Sequence, residues 1–202
     1  MPKIAADPRS PMARQLSGEL ASKVTPLDAF KLARKKFLAG ERVDMGLLAD
    51  ELGVSRVTLY RWAGSRENLL TEIMWSLVSR ALEEEGKRTR AKGGERVAII
   101  TAHFINGVIA HPGMQAFLDR EGEAAMRLVT STAGEFQKRL IKEIRRLLAE
   151  EVERRQYKPS IPLDDLAYAV VRLGESYAYR RFITGKAADA RGVEQLLKLL
   201  LR

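Results

Sequence analysis

The sequence contains no cysteine and only two histidines, His103 and His111. The first absence excludes disulfides and thiolate metal sites. The two histidines lie eight residues apart, so the i, i+4 pair of a simple helical metal site is missing. No Glu-x-x-His occurs for a di-iron bundle, and there is no Gly-rich phosphate loop and no Gly-x-Ser-x-Gly. An enzyme is therefore not expected, nor is a metal or a cofactor. No apolar run approaches the roughly 20 residues of a membrane span. The N-terminus lacks an apolar signal-like stretch, which together with the missing cysteine points to the cytoplasm. No stretch alternates apolar and polar residues for long enough to make a strand, and no internal repeat is present.

What is present is a helical, basic chain. At 46% hydrophobic, its 202 residues can bury a real core. The net charge of +9 favours a polyanionic partner. Residues 1–80 carry 13 Lys/Arg against 9 Asp/Glu, a net of +4, and residues 81–202 carry 22 against 17, a net of +5. The excess is spread evenly, so charge alone does not locate a nucleic-acid site.

The sequence MGLLADELGVSRVTLYRWAG, residues 45–64, does locate one. Leu48 and Leu52 make the apolar stripe of a short helix, which Gly53 can end by taking positive φ. Ser55 is placed to cap a second helix. Leu59 tucks under the bend. Arg56, Val57, Thr58, Tyr60 and Arg61 then lie on a face the core does not need. A helix, a Gly-bearing turn and a polar second helix form a helix-turn-helix DNA reader. Either arginine can fork onto a guanine, and Thr58 can meet a phosphate or a thymine methyl.

Around this unit the chain reads as an all-α protein of about nine helices. Residues 1–24 are read as a mobile arm whose basic residues could reach a minor groove. A helix starts at Thr25, with Pro26 in its first turn and Asp28 completing a capping box. A fourth helix runs from Ser65 to about Glu85, so residues 25–85 form the DNA-binding head. The Gly-flanked basic stretch 86–94 marks the boundary. Residues 95–202 form a second helical part: a buried helix 95–110, a short helix 114–121, a long helix 123–156 bent near 130–134, and helices 162–184 and 191–201.

Residues 27–75 resemble the N-terminal domain of the TetR family of bacterial transcriptional regulators. The residues carrying the likeness are LLADELGVSRVTLYRWAGSRENLL, 47–70, with GVS, TLY and SRENLL as its specific parts. Two positions depart from the family pattern: Val57 stands where Gly is usual, and Trp62 with Ala63 where an aromatic followed by Phe is common. The run Tyr60, Arg61, Trp62 is reminiscent of a QsdR-like subgroup. The resemblance implies a homodimer bound to a double-stranded, palindromic operator, commonly as a repressor. It places Tyr60 on a phosphate and Arg66 beside another at the start of the fourth helix. It further implies that a small molecule in the body releases the DNA.

Polar or aromatic groups on apolar helix faces are the candidate lining of such a site. They are His103, Phe104, Asn106, Phe117, Met126, Tyr168, Arg172, Glu175 and Tyr179. Gly174, with Ala167, Val170 and Ala178, would allow close helix approach, which assigns 162–184 and 191–201 to a dimer interface as a four-helix bundle. The alternatives are that these stripes are used up inside one subunit, and that the protein is a DNA-binding regulator with no small-molecule ligand, governed by a protein partner or by abundance.

Overall fold

A computed structural model describes residues 24–130, 135–187 and 189–202. The arm expected before residue 24 and the bend expected at 130–134 fall outside these residues, apart from Thr130. The described residues form ten helical segments. These are α1 (Pro26–Leu38), α2 (Met45–Leu52), α3 (Arg56–Ala63), α4 (Arg66–Arg88), α5 (Gly93–Ala110), α6 (Pro112–Thr130), α7 (Phe136–Glu153), α8 (Leu163–Ala178), α9 (Arg180–Thr184) and α10 (Ala190–Leu200). α9 continues α8 after a single step at Tyr179, which leaves nine helices in effect.

Local chemistry fixes the head. Thr25 and Asp28 form a reciprocal capping box at α1. The Asp44 carboxylate accepts the N–H groups of Gly46 and Leu47 at 2.8 and 3.0 Å. Ser55 and Ser65 each accept the N–H three residues on, at 3.1 and 3.0 Å. Gly53 ends α2 at φ 65°, a conformation that side chains with a Cβ rarely adopt. Phe37, Leu48 and Leu59 then close the core between the three helices.

The body differs from expectation in its boundaries. α4 runs to Arg88 and α5 begins at Gly93, so the junction is only residues 89–92. The break expected between helices 114–121 and 123–156 is present at Glu121. α6 spans both sides of a kink at Glu121 (φ −137°, ψ 37°), next to Gly122, and stops at Thr130. α7 starts afresh at Phe136 and buries Phe136, Leu140, Ile144, Leu147 and Leu148 against α8 and α5. At its end the buried Glu151 carboxylate accepts the Gly93 N–H at 2.7 Å and pairs with Arg96 and Arg154, at 3.3 and 2.8 Å. A carboxylate so placed is tolerated because it is paired and hydrogen-bonded.

The small-residue face of α8 is used inside the protomer. A Cβ on Gly174 would lie 2.8 Å from Ile105 Cδ1 on α5, and Ala167 and Val170 are fully buried. α10 buries Val193 and Leu197 against α5 and α8. The stripe read as a dimer face is therefore core; the outward faces of the same helices carry Tyr168, Leu196 and Leu199.

α6 seats directly on the head. A Cβ on Gly113 would come within 2.2 Å of the Phe37 carbonyl oxygen, and Ala116 Cβ lies 3.3 Å from the Cβ position of Gly40. The Phe37 and Phe117 rings meet edge to face at 5.6 Å. Gly113→Ala is expected to lower stability by about 1–3 kcal/mol through overpacking. Gly107→Ala, with no atom within 4 Å of its Cβ position, should instead raise it by up to about 1 kcal/mol. Thermal or urea unfolding of the two variants checks the seat.

Candidate nucleic-acid interface and body cavity

α3 presents the expected face. Val57 is 78% exposed and Tyr60 47%, Arg56 and Arg61 are exposed, and Leu59 beneath them is fully buried. Two of the named groups are already engaged. The Ser55 hydroxyl caps the helix and shares a hydrogen bond with Thr58 Oγ1 at 2.9 Å. The Arg56 guanidinium folds back over Gly46, where a Cβ would sit 2.8 Å from Nη2. There it lies near Asp44, whose carboxyl is held below its usual range chiefly by the Leu47 N–H.

Trp62 and Ala63, the second departure from the family pattern, border a hollow of about 150 Å³ with Phe30 and Leu69. Trp62 packs on the core as expected but leaves part of that space unfilled.

Arg66 is not free at the surface, and this corrects its placement beside a phosphate. Its Nη1 and Nη2 donate to the two Glu121 oxygens at 2.8 and 2.7 Å, and its Nε donates to the Val43 carbonyl. A bidentate guanidinium–carboxylate pair is among the stronger polar contacts. It ties the start of α4 in the head to the kink of α6 in the body.

The body encloses a cavity of about 80 Å³ between α4, α5, α6, α7 and α8. Phe104, Phe117, Glu175 and Tyr179 line it as expected. The other five candidates do not. His103 faces outward and lies 2.9 Å from Glu85, and Asn106 and Tyr168 are exposed. Met126 is half-buried away from the wall, and Arg172 pairs with Glu175 from the more open side. The helix 95–110 thus has a solvent face carrying His103, Asn106 and Gly107, and is not buried all round.

Most of the wall was not anticipated: Met74 and Val78 of α4, Ile105 and Met114, and the α7 residues Leu140 and Ile144. Hydrocarbon side chains give no sign in sequence of facing a void rather than a neighbour. Gln137 also went unnoticed. It lies behind the wall and donates to Glu175 and to the Val129 carbonyl. A lone amide beside the apolar stripe of α7 was the available signal. Burial raises the Glu175 carboxyl above its usual range against the opposing effects of Gln137 and Arg172, and burial raises the Tyr179 phenol as well.

A capped helix-turn-helix joined to a larger helical body defines a two-part class of DNA-binding architecture. Residues 92–202 match the family described as Tetracyclin repressor-like, C-terminal domain, which is more than half of the chain. The chain belongs to the TetR family of transcriptional regulators, DNA-binding helix-turn-helix proteins that are not enzymes. It is similar to the Rhodococcus erythropolis transcriptional repressor QsdR, with a TM-score of 0.80 and 26% identity over 87% of this chain and 93% of that one. A TetR-like regulator from Rhodococcus sp. RHA1 matches with a TM-score of 0.45 and 20% identity, covering 90% and 96%. No curated protein matches by sequence. Among the described residues no single helix is long and apolar enough to cross a membrane.

Arg66 holds the folded-state pKa of Glu121 below its ordinary 4.5. The pair's contribution is therefore full above that ordinary value and is lost as pH falls through the lowered one. Glu121→Gln should cost about 1–3 kcal/mol at pH 7. The gap from wild type should close as unfolding is repeated at successively lower pH below 4.5. A gap that stays constant down to acid pH would exclude the ion pair as its source.

Proposed function

We propose that the protein is a homodimeric repressor that leaves a palindromic operator when a small molecule occupies the body cavity. One observation carries the ligand part of this reading. Phe117 lines the cavity and touches Phe37 of the head, and Glu121 on the same helix grips Arg66. An occupant that moves α6 would therefore shift the head without any intervening element. Its leverage is the difference in its affinity for the DNA-bound and released arrangements. A regulator governed only by a protein partner or by abundance has no need of a cavity against this helix.

At the DNA, Arg61 and Tyr60 are the side chains of α3 best placed to reach out, with Thr58 and Val57 between them. Arg56 would first have to swing away from Gly46, and Ser55 acts through its cap. Arg66 becomes a positioning residue in place of a phosphate contact. The similar QsdR is a transcriptional repressor, which supports the sign of regulation. The outward apolar groups Tyr168, Leu196 and Leu199 on α8 and α10 support pairing of two copies through these helices. A two-fold dimer sets its half-sites about one DNA turn, ~34 Å, apart.

Selection of bound sequences from random DNA should yield an inverted repeat. Arg61→Ala is expected to weaken binding to it by about 1–3 kcal/mol, and Thr58→Ala to weaken it as well, both with unchanged melting temperature. Wild-type affinity for Arg61→Ala across a salt series would remove Arg61 from the interface. Leu199→Glu should convert the dimer to a monomer in sedimentation; a dimer of unchanged stability would place the pairing surface elsewhere.

A further inference from the structure

The body cavity is almost entirely hydrocarbon. Among the described residues, only Thr101, Glu175 and Tyr179 bring side-chain oxygen to its wall. The Thr101 hydroxyl spends its proton on the Val97 carbonyl at 2.8 Å. Glu175 is 7% exposed; one of its oxygens takes a Gln137 N–H, while the buried Oε2 lies in ion-pair contact with Arg172 and, among the described residues, receives no well-aligned hydrogen bond. Arg172 pairs with this carboxylate in charge but not in hydrogen-bond geometry. The cavity therefore holds an unmet acceptor in an apolar surround, which is unfavourable until a donor arrives. Outside it lies a groove of about 440 Å³ that shares the walls Ile109, Leu118 and Ala178. Arg181 stands at this groove and pairs with Asp119 at 3.0 Å.

We infer that the effector is an uncharged amphiphile whose apolar body extends from the groove to the space between Phe104 and Phe117, with one O–H or N–H donor directed to Glu175. A free carboxylate is the disfavoured head, because it offers no donor to the acceptor oxygen of Glu175 and would bring a second acid group against it. This rests on reading the cavity as the effector site. It goes further by choosing the chemistry of the polar end.

The test uses the full chain and three probes that each carry a ten-carbon chain: 1-decanol, decyl methyl ether and decanoate. Melting temperature is followed as each is titrated, since a ligand that binds only the folded state raises it. The alcohol should bind most tightly. The ether, which accepts but cannot donate, should bind roughly tenfold more weakly, and decanoate should give no shift. In Glu175→Gln the preference for alcohol over ether should shrink and decanoate should begin to bind; the wild-type ranking stands as a test without this variant. Equal binding of alcohol and ether, or decanoate as tight as the alcohol, would overturn the inference while leaving the cavity an effector site. No shift with any of the three would overturn both.

Discussion

The contact on which the molecule depends is the seat of α6 on the head. Arg66 reaches across from the first turn of α4 to hold both oxygens of Glu121, while its Nε donates to the Val43 carbonyl. Both partners are largely shielded from water, at 20% and 17% side-chain exposure. This matters because exposed ion pairs contribute little, whereas a shielded bidentate pair loses much if one partner is removed. Beside it, Gly113 lets the backbone of α6 touch the end of α1, and Phe117 stacks edge-on against Phe37. A polar clamp and an apolar contact thus bind the same two bodies a short distance apart along one helix. With a junction of only residues 89–92, the head has little independent freedom. Its orientation follows α6.

The cavity is the complement of that rigidity. The core around it is packed from five helices, yet it retains a void where Met74, Phe104 and Ile144 converge, with a buried carboxylate on the wall. Voids and unpaired polar atoms both cost stability. Their coincidence next to the helix that seats the head is what gives the arrangement a functional sense. The other buried carboxylate, Glu151, shows the contrast: it is satisfied by Gly93, Arg96 and Arg154 and faces no void.

The elements that were legible in the sequence are those specified by local chemistry. Thr25 and Ser55 each cap the helix they were assigned, and Gly53 makes the turn. Leu48 and Leu59 are buried where the pattern put them, and Val57 and Tyr60 are exposed. What was not legible depends on tertiary partners. Arg66 has the same local setting whether it meets a phosphate or Glu121, which is 55 residues away. Gly174 signals close approach but not to which helix; it faces Ile105 of its own chain. His103 sits in an apolar sequence, yet falls on the one face of α5 that meets solvent. The break in α6 at Glu121, by contrast, falls where the helix expected over 114–121 ends.

The central claim is that occupancy of the cavity is transmitted to the heads through α6. The absence of cysteine makes a direct measurement available, since Asp50→Cys places a single spin label on the exposed face of α2 in each copy. In the proposed dimer the label-to-label distance should be one narrow population on selected operator DNA. Addition of 1-decanol should shift it in the wild-type background and shift it less in Glu121→Gln. An unchanged distance distribution with the cavity demonstrably filled would contradict the account.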